Sequence, residues 1–192
     1  MKHPMTRELF AYWNERRGTR PAPERHEIEP GAIRNVLAHS FILTLGLGHE
    51  LEFRLAGTRL CALFCRELKS SSFVELWQEA ERAEIRELGM TVALEAVGVV
   101  AGVAGTTSEG RVELELLLLP LYHRGQLDQR LIGLLAPLAA PHWLGLEPVR
   151  ALSLGARRYL GPAAACAVDP EETAGPGIAA LRGVTIYDGG RS

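Results

Sequence analysis

Directly after a Glu109-Gly110 turn, Val112, Leu114, Leu116 and Leu118 alternate with Arg111, Glu113 and Glu115. A period of two marks a β-strand with one apolar and one polar face. Such a strand cannot stand alone, because its backbone needs neighbouring strands and its apolar side needs a covering layer. The rest of the chain offers both. Residues 41–47 are apolar, aromatic and β-branched, and residues 50–55 set Leu51, Phe53 and Leu55 against Glu52 and Arg54. With Gly46 and Gly48 between them, these two runs read as an antiparallel hairpin. Residues 91–107 are apolar and rich in small residues without a clean period, and read as a strand or two. Past a turn at His123-Arg124-Gly125-Gln126, residues 131–138 return as another strand, and residues 151–160 add one further strand or a short helix.

The covering layer comes from helical patterns. Leu9, Phe10 and Trp13 share one side of the segment between Thr6 and Arg17, opposite Arg7, Glu8, Asn14, Glu15 and Arg16, and Gly18 supplies a stop. A helix of about twelve residues is marginal alone in water. Leu9, Phe10 and Trp13 therefore need a surface, on the same chain or on a second copy. Pro21 and Pro23 make the following segment a connector, and Pro30 opens a short helix edged by Ile33, Val36 and Leu37 that ends near His39. Thr58 is a suitable N-cap for a helix bearing Leu60, Leu63, Phe64 and Leu68. Ser72 with Glu75 matches a capping box for a second helix, striped by Phe73, Leu76, Trp77, Ala80 and Ala83 and stopping at Gly89.

Charge and cysteine usage exclude several classes of function. With 21 Lys and Arg against 23 Asp and Glu, the formal net charge is −2, which argues against a nucleic-acid binder working by broad phosphate neutralisation. The three cysteines, Cys61, Cys65 and Cys166, are too few for a disulfide framework and have no histidines at zinc-ligand spacing. The first 18 residues lack the apolar centre of a secretory signal, and neither 88–104 nor 131–146 resembles a membrane span. A cytoplasmic location is expected, with neither nucleic acid nor membrane as partner.

The order of elements is helix, connector, two strands, two short helices and three strands. This gives an α+β fold, an antiparallel sheet with helices packed on one face plus an N-terminal helical cap. That order resembles a PAS domain. The likeness is specific over Trp13, Arg17-Gly18, Pro23, Arg25, Ile28, Pro30, Ile33 and Leu37, then Phe53-Arg54-Leu55-Ala56-Gly57-Thr58 and Arg66-Glu67-Leu68. These residues are similar to a bacterial family of single-PAS proteins. Cys65 stands where that family often has Gly, which makes the turn before Arg66 a departure expected to be more helical. The resemblance covers about residues 8–138. It implies a sensory or regulatory module rather than an enzyme, acting through a small molecule or a signalling protein, and it names no cofactor. The domain division is an N-terminal helix and connector over 1–28, a PAS-like domain over 29–160 and a flexible tail over 161–192.

Candidate site residues follow from pattern. Cys61 and Cys65, four apart, would share one helical face, with core packing the plainer reading of both. The six histidines form no HxxxH or HxH pair, so haem or metal ligation would need distant ones to converge. Among them His39 and His142 are best placed to face a pocket. Trp77 and Phe64 sit in apolar stripes and would wall a pocket between helices and sheet. The pocket candidates are thus His39, Cys61, Phe64, Cys65 and Trp77, and the candidates for a homodimer contact are Leu9, Phe10 and Trp13. Arg54 points to the opposite sheet face, where an ion pair with a carboxylate such as Glu67 competes with a ligand-anion clamp. Ser70, Ser71 and Ser72 lack a nucleophile context, and the segment 98–102 has no Lys-Ser/Thr after it, so catalysis and a phosphate loop are unsupported. Two rivals stand beside the sensory module: a ligand-free interaction scaffold, and a small-molecule enzyme or carrier on a similar helix-on-sheet pocket.

Overall fold

The computed structural model describes residues 1–46, 48, 50–123, 126–139 and 145–161, with 123 and 126–129 described by backbone alone. Helix α1 (Pro4–Arg17) leads through a connector of short 3-10 turns to strands β1 (Ser40–Leu45) and β2 (Leu51–Ala56). Helices α2 (Thr58–Leu63) and α3 (Arg82–Glu95) follow, then β3 (Gly98–Thr106), β4 (Arg111–His123), β5 (Gln126–Pro137) and β6 (Ala151–Leu160). The six strands form one sheet in the order β2-β1-β5-β4-β3-β6, every neighbouring pair antiparallel. His49, Arg124, Gly125, His142, Cys166 and, of the tail expected over 161–192, residues 162–192 lie outside the described residues.

The centre of the sheet is buried on both faces. Inward-turned Phe41, Leu43, Phe53, Leu114, Leu116 and Leu118 meet α2, α3 and the segment that carries Phe73 and Trp77. On the other face Leu117, Leu119, Leu121, Ile132 and Leu134 meet α1 and the connector through Leu9, Trp13, Ile28 and Ile33. The helices after β2 therefore cover one face as expected, and the N-terminal cap takes the opposite one. Of the residues expected at a homodimer contact, Leu9 and Trp13 are buried against the chain's own sheet and Phe10 is half-buried.

Trp13 anchors the cap. Its indole Nε1 donates to the carbonyl of Pro120 at 2.9 Å, and the guanidinium of Arg17 stacks on its ring. Pro120 lies in β4 past the last residue paired with β3, Leu118, so its missing N–H interrupts no ladder on that side. There the connector takes over, with the Tyr122 N–H donating to the Pro23 carbonyl at 2.9 Å. At the other end of α1, the backbone N–H groups of Lys2 and His3 donate to the Glu115 carboxylate at 2.6 and 2.9 Å. Glu115, on the polar side of the alternation, is thus buried beneath the start of the helix.

Three local expectations change. Gly89 does not stop the second helix, which runs on to Glu95 and ends at left-handed Ala96, so residues 91–95 are helix and not strand. A Cβ at Gly89 would stand 2.3 Å from Leu51 Cδ1, so the glycine is there for close approach to the sheet. The run from Phe73 to Glu81 is 3-10 turns and not the start of that helix. Helix α2 stops at Leu63, and Cys65 then takes φ 49°, a left-handed turn rather than added helix.

Candidate functional site

A bulge in the hairpin shapes the outer face. The register of β1 on β2 slips between Ile42 and Leu43, so Leu43 faces Phe53 while Ile42 faces Leu55. Strict alternation would send Leu55 inward with Leu51 and Phe53. The extra residue instead turns both Arg54 and Leu55 outward. Leu55 is left 50 % exposed on a sheet whose inner residues are closed off.

Opposite that bulge stands the connector. Tyr12 Oη donates to the Glu27 carbonyl at 3.1 Å and accepts from the Glu29 N–H at 2.9 Å. Glu27 accepts from the Glu24 N–H at 2.6 Å and from Arg20 Nη2 at 2.9 Å, and this pairing with the Arg20 guanidinium holds its carboxyl below the usual range. The connector is therefore pinned, and Ile28, Ile33 and Leu37 form a fixed wall. Between this wall and Ile42, Leu55 and Ile132 lies an apolar cleft of about 230 Å³. Ala56 and Gly57 close one end. A Cβ on Gly57 would come within 2.2 Å of the Leu37 carbonyl oxygen, so only glycine lets β2 run this close to the connector.

The mouth of the cleft is basic. Arg25, Arg54, Lys69 and Arg130 gather with Ile42 and Leu55 around an adjoining space of about 240 Å³. Among the described residues, no carboxylate lies within ion-pair distance of these four cations. The ion pair considered for Arg54 is therefore not formed.

The remaining candidates are scattered. Cys61, Phe64 and Trp77 pack in the core on the other face, where Trp77 meets the Phe73 ring edge-on at 5.8 Å. Burial pushes the Cys61 thiol up, away from the reactive thiolate. Cys65 is exposed beyond the end of α2, so the two thiols share no face. His39 is half-buried just before β1, its Nδ1 enclosed without a partner; burial lowers its pKa, as do the charges of His3 and Arg59, against the Leu135 carbonyl. Its chain neighbours Leu37 and Ser40 line the cleft, but His39 does not. The described residues hold no group of three or more His, Cys, Asp or Glu able to bind a metal ion, and no helix among them is long and apolar enough to cross a membrane.

Sequence reasoning named Arg25, Ile28, Pro30, Ile33, Leu37 and Leu55 in the resemblance without seeing that they meet at one cleft. Arg130 and Lys69 it missed, since an isolated cation in a strand or a turn carries no local signal. No curated protein and no solved structure matches the chain. A family model described as PAS domain matches residues 1–136, from α1 into β5, which leaves β6 outside the match. The chain belongs to the PAS domain family of sensory and regulatory modules.

Proposed function

We propose that this chain is a cytoplasmic regulatory module that acts by binding a small molecule at the cleft between the connector and the β1–β2 hairpin. The observation that supports this is the preformed, mostly apolar cleft of about 230 Å³ whose two walls belong to the connector and to the sheet. An occupant touching Ile33 and Leu55 together would favour one packing of the connector, and of the α1 helix tied to it through Tyr12, over others, and differential affinity of that kind is what shifts a population. The family is generally sensory rather than catalytic, and the cleft is lined mostly by apolar groups, with Arg25 and Ser40 as its polar members.

Isoleucine methyl NMR provides the test. Ile28, Ile33, Ile42 and Ile132 report on the cleft, and Ile85 reports on the core across the sheet. Titration with short apolar probes such as 1-octanol should move the first four signals and leave Ile85 in place. Shifts confined to Ile85 would put the site on the inner face and overturn this assignment. An interaction scaffold without a ligand would show no saturable shift at all.

A further inference from the structure

The cleft and the basic mouth adjoin, sharing Arg25, Ile42 and Leu55 along their border. Together their volumes fall within the 300–1,000 Å³ typical of small-ligand sites. Resting on the reading of the cleft as a ligand site, we infer that its ligand is a free amphiphilic anion. An aliphatic chain lies against Ile33, Ile42 and Ile132, and a carboxylate or phosphate head reaches Arg25, Arg54 and Arg130.

Charge carries the argument. The chain as a whole has a formal net charge of −2, yet four cations converge on this one opening. No described carboxylate comes within ion-pair distance of these four, so an oxyanion bound among them would relieve their mutual repulsion. Glu52 shares the outer face, but Thr44 lies between it and Arg130 in the strand register, and it does not line the mouth. Guanidinium groups are matched to planar or tetrahedral oxyanions through paired N–H donors. The same charge argues against a second copy of this chain as the occupant, because a two-fold axis through the patch would set cations against cations. The apolar half of the site argues against a bare inorganic anion, which would leave Ile33, Ile42 and Leu55 unused.

The experiment is titration of the full chain with octanoate, n-octyl phosphate, 1-octanol and inorganic phosphate by calorimetry and by the isoleucine methyl signals. Octanoate or octyl phosphate should bind one to one, at least about tenfold tighter than 1-octanol, as hydrogen bonds to charged groups require. Salt should weaken this binding. The double variant Arg54→Gln/Arg130→Gln should lose about that same factor for the anions and bind 1-octanol unchanged. Both positions are outside the core, and matching circular dichroism and melting curves would confirm that the variant is folded. Equal affinity for octanol and octanoate, or an unchanged affinity of the double variant for octanoate, would overturn the anionic head while leaving the cleft as a ligand site. If none of the octyl probes binds, the proposed function falls together with this inference. Sedimentation with phosphatidylglycerol vesicles, in the absence of saturable octanoate binding, would assign the cations to a lipid surface and overturn the free ligand.

Discussion

Leu55 stands opposite Ile42 across the β1–β2 ladder, although the residue two before it, Phe53, stands opposite Leu43 on the other face of the sheet. Two apolar residues separated by one position in a strand should share a face, and here a bulge separates them. The stability of the two sites should differ accordingly. Phe53 is 1 % exposed and packs among Phe41 and Phe73, so Phe53→Ala should cost about 3–5 kcal/mol. Leu55→Ser should cost no more than about 1 kcal/mol, because the side chain is already half in water. Urea denaturation of both variants checks this, and equal losses would mean that Leu55 is packed inward.

Gly57 is held by sterics rather than by conformation, since its φ of −71° is open to any residue. Gly57→Ala places a methyl group against the Leu37 and Ala38 carbonyl oxygens, which belong to backbone and cannot rotate away. A loss of about 3 kcal/mol is expected, with the β1–β2 end of the cleft pushed open. Amide exchange at Gly57, whose N–H donates to the Ser40 carbonyl, would report that local opening.

Cys65 presents the opposite case. Its φ of 49° is a conformation in which a side chain is strained, and its thiol is exposed. Cys65→Gly should therefore stabilise the protein by up to about 1 kcal/mol, visible as a higher melting temperature. A lower melting temperature would show that the thiol makes a contact that outweighs the strain.

Stability should fall on mild acidification because of His39. Its folded pKa lies below the ordinary value of about 6.5, so in that range the unfolded chain binds the proton and the folded chain does not. The stability associated with the neutral ring is complete above the ordinary value and is lost as pH falls from there through the folded value. His39→Gln should thus lose less melting temperature than the native protein between pH 7.5 and pH 5.5. Identical losses would place the acid sensitivity elsewhere.

Glu115 acts in a separate, lower window. Burial pushes its carboxyl up, but the Lys2 and His3 N–H groups and the nearby Thr6 hydroxyl outweigh that and hold it low. Its contribution is present above the ordinary carboxylate value of about 4.3 and is lost as pH falls through the lowered one. Glu115→Gln should weaken the hold on the start of α1 by about 1–3 kcal/mol at neutral pH, and should flatten the decline below pH 4.5 without touching that of His39. Thermal melts of the variant across both pH ranges separate the two groups.

Local pattern was enough for much of the fold. The alternation around Leu114 and Leu116, the Leu51–Phe53 hairpin, the stripe of α1 and the order of elements are all written in periods of two and 3.6, which depend on neighbours in sequence. The family could be read for the same reason, since its marks are short runs such as Leu55-Ala56-Gly57. What only the tertiary structure decided are relationships between distant residues. Gly89 looks like a helix stop because glycine costs a helix about 1 kcal/mol, but Leu51 occupies the space where a side chain would go, and the helix continues. Glu115 looks solvated until the amides of Lys2 and His3 arrive from the other end of the chain. Leu9 and Trp13 announced that they needed a surface, and the outer face of this chain's own sheet supplies one. The cleft is of the same kind: Arg25 and Ile33 from the connector, Leu55 from a bulge and Arg130 from β5 are far apart in sequence, and only the closed sheet makes them one site.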